Sequence, residues 1–233
     1  METKYIRREL SAVIEEAYRY FSVITVTGPR QSGKTTLIRN LFPHLPYYSL
    51  ENLDVRSFAE NDPVAFLNQH TEGMILDEVH NAPNLLSYIQ GMVDADADRR
   101  FILSGSSQFA MLKKVTQSLA GRTAVFELLP MSYSEIREIA ADTPLDHLLF
   151  NGFYPAIYSG RNVPKFLYPA YMKTYLDKDV RDLLQIKDMM QFHTFIRLCA
   201  GRIGSLFKAS ELANEIGISS HTVTAWLSVL QAS

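Results

Sequence analysis

The chain has 233 residues, 47% of them hydrophobic, which is enough for one large or two small domains and excludes a disordered chain. A formal net charge of -2 gives no overall electrostatic case for nucleic acid, although residues 160–233 are mildly basic, with 9 Lys/Arg against 6 Asp/Glu. The single cysteine, Cys199, excludes an internal disulfide; with no signal-peptide pattern or membrane-length apolar run, the expected location is the cytoplasm, with no membrane partner.

Ile6, Leu10, Val13, Ile14, Ala17 and Phe21 recur at helical spacing, so residues 5–21 read as an amphipathic helix; Arg7 and Arg8 read as part of its solvated face, the alternative being that they and Tyr5 reach the base of a nucleotide. Val23 to Thr27 then reads as a buried strand. It runs into Gly28-Pro29-Arg30-Gln31-Ser32-Gly33-Lys34-Thr35-Thr36, which has the G-x-x-x-x-G-K-[ST] spacing of a P-loop. A helical pattern follows from Thr36. Strand, glycine loop and helix together place backbone N–H groups and a helix amino end around one point, where a triphosphate fits.

Tyr47 to Leu50 reads as a second strand, and Asn52 to Leu67 as one or two helices, the second starting at Asp62-Pro63. The apolar strand Met74-Ile75-Leu76 ends in Asp77-Glu78, the Walker B pattern, 43 residues after Lys34. Thr35 and Asp77 are the expected metal residues for Mg²⁺ on the phosphates. Glu78 is the candidate general base for water. After a helix from Asn84 to Val93, the strand Phe101-Ile102-Leu103 ends in Ser104-Gly105-Ser106-Ser107. Ser104 and Ser106 are both candidates for sensing the γ-phosphate, and Ser106 or Ser107 for capping a helix over 108–119. Arg122 precedes a fifth strand, Ala124 to Leu128. From position alone it reads equally as a surface residue and as a charge donor, to its own site or a neighbour's.

These five strands alternating with helices predict an α/β P-loop core with a mostly parallel sheet over residues 1–130. Residues 131–190 read as an all-α lid, including a long helix from Pro164 to Leu184 whose Phe166, Tyr168, Tyr171 and Tyr175 are read as core. Residues 191–233 hold a helix-turn-helix, with Gly217 in the turn and Ser220 to Leu230 as the second helix. That second helix has no Lys or Arg, which argues against reading DNA through it.

Together, Gly28–Thr36, Ile75–Glu78, Leu103–Ser107, the Leu119-Ala120-Gly121-Arg122 turn with Pro130-Met131-Ser132, Gly152-Phe153-Tyr154-Pro155 and Leu212–Leu230 resemble prokaryotic AAA-type ATPases. Those proteins carry a winged-helix segment followed by a C-terminal domain of unknown function. The resemblance implies ATP rather than GTP, Mg²⁺, and Arg122 as arginine finger or sensor, in a homo-oligomer if it acts in trans. It leaves a second sensor arginine to Arg161 or Arg181. It further implies that relatives continue past the winged helix, so a truncated protein or fragment is expected here. The expected activity is ATP hydrolysis; the alternative is a nucleotide-gated binding module with little turnover, with an unidentified protein partner or DNA.

Overall fold

In the computed structural model, residues 5–105, 115, 118–174 and 188–232 are described. Ser106, Tyr175, Arg181 and most of the expected helix 108–119 lie outside them. The chain divides into two compact units, Met1–Val163 and Pro164–Ser233. The sequence reading instead divides it after residues 130 and 190.

The first unit is built on five parallel strands, β1 (Val23–Thr27), β2 (Tyr47–Ser49), β3 (Gly73–Asp77), β4 (Arg100–Ser104) and β5 (Thr123–Glu127), in the order β2-β3-β4-β1-β5. Parallel strands have no wet face, so alternate side chains must both be covered. Val23, Met74, Leu76, Phe101 and Leu103 belong to one core, with Phe66 and Leu67 of α4 (Pro63–Leu67) and Leu85, Leu86 and Ile89 of α5 (Leu85–Ala95). Ile24, Val26, Ile75 and Ile102 belong to the other, with Ile14 of α1 (Leu10–Ala17) and Leu37 and Ile38 of α2 (Lys34–Leu41). The period-two alternation thus sorts each strand between two helical layers. Between β2 and α4, Asn52 caps α3 (Leu53–Asn61), its side chain accepting from Asp54 N and Val55 N; Asp62 caps α4 in the same way, accepting from Ala65 N.

Residues 131–163 stay with the first unit. Their helices are α6 (Tyr133–Ile139), α7 (Leu145–Asn151) and α8 (Pro155–Tyr158). Met131, Ile136 and Leu148 form a small core of their own, joined by Phe153, Tyr158 and, from the start of the chain, Ile6. The amino-terminal helix is correspondingly shorter than its apolar pattern, because residues 5–8 leave the helix to reach this segment.

The second unit contains α9 (Pro164–Tyr171), α10 (Met189–Ala200), α11 (Ala209–Ile216) and α12 (Ser220–Ala232). Its core sets Trp226 edge-on to Phe192 at 5.2 Å and packs it on Phe195 at 5.6 Å, with Leu212, Ala213 and Val223 around them. Gly217, at φ 77°, ends α11 in the left-handed conformation, and Ser219 Oγ accepts from Thr222 N to start α12. Phe166 departs from the expected aromatic core: it is exposed beneath Lys165, and Leu167 is the buried residue of α9. Among the described residues, no helix is long and apolar enough to cross a membrane.

Candidate functional site

The loop between β1 and α2 turns on two glycines. At Gly28, φ is 141°, and a Cβ there would stand 2.2 Å from the Leu128 carbonyl oxygen. Only glycine lets the loop pass this close to the end of β5. Gly33, at φ 98°, is the N-cap of α2 and provides no side-chain cap. The first N–H groups of the helix therefore have no intrahelical partner, and they carry the positive end of its dipole. Within the loop, Pro29 is half-buried, Ser32 is buried, and Arg30, Gln31 and Thr36 are exposed. Lys34 folds back, its Nζ donating to the Gly28 carbonyl at 2.9 Å and the Pro29 carbonyl at 3.0 Å. Burial is the main influence lowering its ammonium below the usual lysine range; Glu78 and Asp77 act in the opposite direction.

Asp77, at the carboxyl end of β3, is 4% exposed and accepts three hydroxyl hydrogens. Thr35 Oγ1 donates to its Oδ2 at 2.7 Å, Tyr47 Oη donates to the same oxygen at 2.7 Å, and Ser104 Oγ donates to its Oδ1. Three strands and one helix converge on this carboxylate.

Glu78 follows in a left-handed conformation, at φ 55° and ψ 46°, that a non-glycine residue adopts at a cost. Its Oε2 approaches His80 Nδ1 to 3.1 Å, within ion-pair range, but the two atoms are not aligned as a hydrogen bond. Burial acts to raise the Glu78 carboxyl; His80, Lys34 and Arg30 together outweigh it, so the carboxyl lies below the usual glutamate value. A carboxylate kept ionised beside this loop is suited to accept a proton from water.

Gly28 to Thr36, Asp77, Glu78 and Ser104 thus come together at the carboxyl ends of β1, β3 and β4. Ser104 departs from its expected setting: it is fully buried with its hydroxyl committed to Asp77, which places it behind the carboxylate. Arg122 stands apart from this set. It precedes β5, and its carbonyl accepts from Val23 N at the amino edge of the sheet. A strand of five residues, about 16 Å, separates that edge from the loop. Its guanidinium is instead bound to Asp94 at the end of α5, with bonds of 2.5 and 2.8 Å. This placement fits the surface reading of Arg122, or a contact with a neighbouring chain, better than a contact with its own loop. Arg161 is exposed and lies beyond α8.

Two contacts carry no motif in the sequence. One is Tyr47 on Asp77, which no motif marks. The other is Arg8, placed on a solvated face but in fact 6% exposed, with its Nε 3.0 Å from Glu135 Oε2 and its Nη1 donating to the Ser32 carbonyl at 2.8 Å. The Ser132-x-x-Glu135 spacing of a capping box was a legible signal for one end of that pair.

Residues 20–137 match the family described as AAA domain, and residues 142–233 match a domain of unknown function, DUF8612. The chain is 29% identical over 233 residues to the uncharacterized protein Rv2008c of Mycobacterium tuberculosis, covering 96% of this chain and 51% of that protein. The same figures hold for the uncharacterized protein Mb2031c of Mycobacterium bovis. The chain therefore spans about half the length of the curated relatives it matches. Among solved structures, the Walker-type ATPase PABY2304 of Pyrococcus abyssi is similar at 15% identity and a TM-score of 0.48, over 86% of this chain and 77% of that one. The first family match spans just over half of the chain and contains the whole Gly28–Thr36 loop together with Asp77, Glu78 and Ser104, so the chain belongs to the AAA domain family.

Proposed function

We propose that this chain is a Mg²⁺-dependent ATPase that hydrolyses ATP to ADP and phosphate to drive a conformational change. The observation that carries the proposal is the 2.7 Å contact between the Thr35 hydroxyl and Asp77 at the open amino end of α2. A P-loop hydroxyl and a strand-end carboxylate, brought together there, are the two protein groups a phosphate-bound Mg²⁺ needs.

The donor set fits that ion. Both groups are hard oxygen donors, and among the described residues no cluster of three or more His, Cys, Asp and Glu forms an all-protein metal cage. Mg²⁺ takes few protein ligands and shares the rest with phosphate and water. When bound, it would supply positive charge to the β and γ oxygens. The chain's own groups do the rest. Backbone amides from Arg30 to Thr35 hold the phosphates. Lys34 exchanges the Gly28 and Pro29 carbonyls for β and γ oxygens. Glu78 orients a water and takes its proton as the water oxygen bonds to the γ-phosphorus. The bond from that phosphorus to the β,γ-bridging oxygen breaks, and ADP leaves with the electron pair. Ser104 and Tyr47 hold Asp77. Arg122 supplies charge to the site of a neighbouring subunit in a homo-oligomer.

The contact of Glu78 with His80 favours a second reading, in which the base is restrained and the chain is a nucleotide-gated module with little turnover. Association with DNA has less support, because α12 carries no Lys or Arg. The test is phosphate release from ATP and Mg²⁺ by the purified chain beside Lys34→Ala. Release by the wild type alone supports hydrolysis. Tight binding without release supports the gated module, and equal release by both proteins removes the proposed site.

A further inference from the structure

Arg8 reaches the P-loop from outside it, and the structure assigns it a role as a positioning residue: we infer that Arg8 holds the Ser32–Gly33 peptide for phosphate binding and ties that peptide to α6. The inference rests on the proposed nucleotide site.

The guanidinium of Arg8 spends its fork on three different segments. Nη1 donates to the Ser32 carbonyl at 2.8 Å, Nη2 donates to the Leu129 carbonyl at 2.8 Å, and Nε donates to Glu135 Oε2 at 3.0 Å. Both charged partners are nearly sealed from water, at 6% and 5% side-chain exposure. At such burial a charge must be fully bonded to be tolerated, so this geometry is strongly specified. The Ser32 carbonyl belongs to the peptide whose other end is Gly33 N–H, in the loop that receives phosphate. A cationic donor on the carbonyl polarises that peptide and strengthens its N–H as a donor. Arg8 thus acts on phosphate through a backbone peptide.

The remaining contacts extend this link outward. Leu129 follows Leu128, whose carbonyl lies against Gly28, so Arg8 fixes the chain that closes the loop from the β5 side. Around Gly33, the positions nearest to an added Cβ are Pro155 Cγ at 3.7 Å and Arg8 Nη1 at 3.8 Å. The Gly152-Phe153-Tyr154-Pro155 element, otherwise without a role, packs its proline against the same turn. Glu135 completes the link. Its Oε1 accepts from Glu9 N at 2.7 Å and its Oε2 accepts from Ser132 N at 2.8 Å. Binding that orders the Ser32–Gly33 peptide is therefore felt at the start of α6.

Two measurements test this. The first is ADP affinity, by calorimetry, for the wild type, Arg8→Lys and Glu135→Gln, with melting of the nucleotide-free proteins alongside. Lysine keeps the charge near Glu135 but lacks the fork that reaches Ser32. The expected result is about tenfold weaker ADP binding for Arg8→Lys. Glu135→Gln keeps an acceptor for Arg8, and is expected to lower the melting temperature and to weaken ADP binding clearly less than Arg8→Lys does. Wild-type affinity in Arg8→Lys overturns the inference alone. Equal losses of affinity in both variants reduce the cluster to a structural ion pair and also overturn it. A wild type that binds no nucleotide overturns the proposed function and this inference with it. The second measurement needs no variant. Linkage is reciprocal, so ADP must tighten what tightens ADP. Amide exchange at Glu9 and Ser132, the two N–H groups bound to Glu135, is expected to slow on adding ADP. Unchanged exchange at both overturns the link to α6.

Discussion

Tyr47 and Thr35 donate to the same oxygen of Asp77, each at 2.7 Å. Burial first, and then the bond to Asp77, raise the Tyr47 phenol well above its usual value, so it stays protonated and can only donate to that carboxylate. Arg39 lies 4.8 Å over the ring and fixes its orientation. Asp77 is thus aimed by Tyr47 from one side and by Ser104 from the other. Tyr47→Phe removes one bond without changing the shape of the ring. The Mg²⁺ concentration needed for half-maximal tightening of ATP binding is expected to rise about tenfold. ADP affinity in EDTA should be unchanged. A titration with a fluorescent nucleotide reads both.

His80 is the nearest group lowering the Glu78 carboxyl, with Lys34 and Arg30 behind it, against burial, which raises it. In the wild type the basic form therefore survives to lower pH than an ordinary glutamate allows. Removing His80 leaves burial less opposed. For His80→Ala, the acid limb of the hydrolysis pH profile is expected to move to higher pH. An unmoved limb would show that His80 does not set the charge of the base.

Gly28→Ala places a methyl group 2.2 Å from the Leu128 carbonyl, at a φ of 141° that alanine avoids. Neither the loop nor β5 can yield without breaking the strand pairing of Thr27 with Glu127. Denaturant unfolding should show a loss of at least about 2 kcal/mol, together with loss of nucleotide binding.

Arg122 is bonded to Asp94 at the sheet edge opposite the P-loop. Arg122→Ala should leave hydrolysis per chain unaltered at protein concentrations where the chain is monomeric. A role in trans predicts a deficit only where wild-type activity rises with protein concentration. A deficit in the monomer would overturn the placement of Arg122 away from its own site.

The parts legible in the sequence were those whose signal is local. The Gly28–Thr36 loop needs its residue spacing and flanking elements, and Asp77-Glu78 needs only the apolar strand before it. The apolar runs at Val23 to Thr27 and Phe101 to Leu103 likewise read as strands of a mostly parallel sheet. What the sequence hid depends on contacts between distant segments. Arg8 and Glu135 are 127 residues apart, and the pattern that makes Arg8 appear solvated ends where the chain leaves its helix. Tyr47 points at Asp77 because β2 pairs with β3, an adjacency that element order alone does not dictate. Between the two readings of Arg122, strand direction gives the physical argument. Arg122 begins a strand whereas the other candidates end one, and in a parallel sheet those positions lie on opposite edges.

Single-turnover hydrolysis of MgATP by Glu78→Gln tests the central claim most directly. The substitution keeps the size and hydrogen-bonding capacity of the side chain but removes the proton acceptor. The prediction is nucleotide affinity close to wild type and a hydrolysis step slowed by about 100-fold or more. A hydrolysis rate equal to that of the wild type would contradict the assignment of Glu78 as the general base and the hydrolytic site built around it.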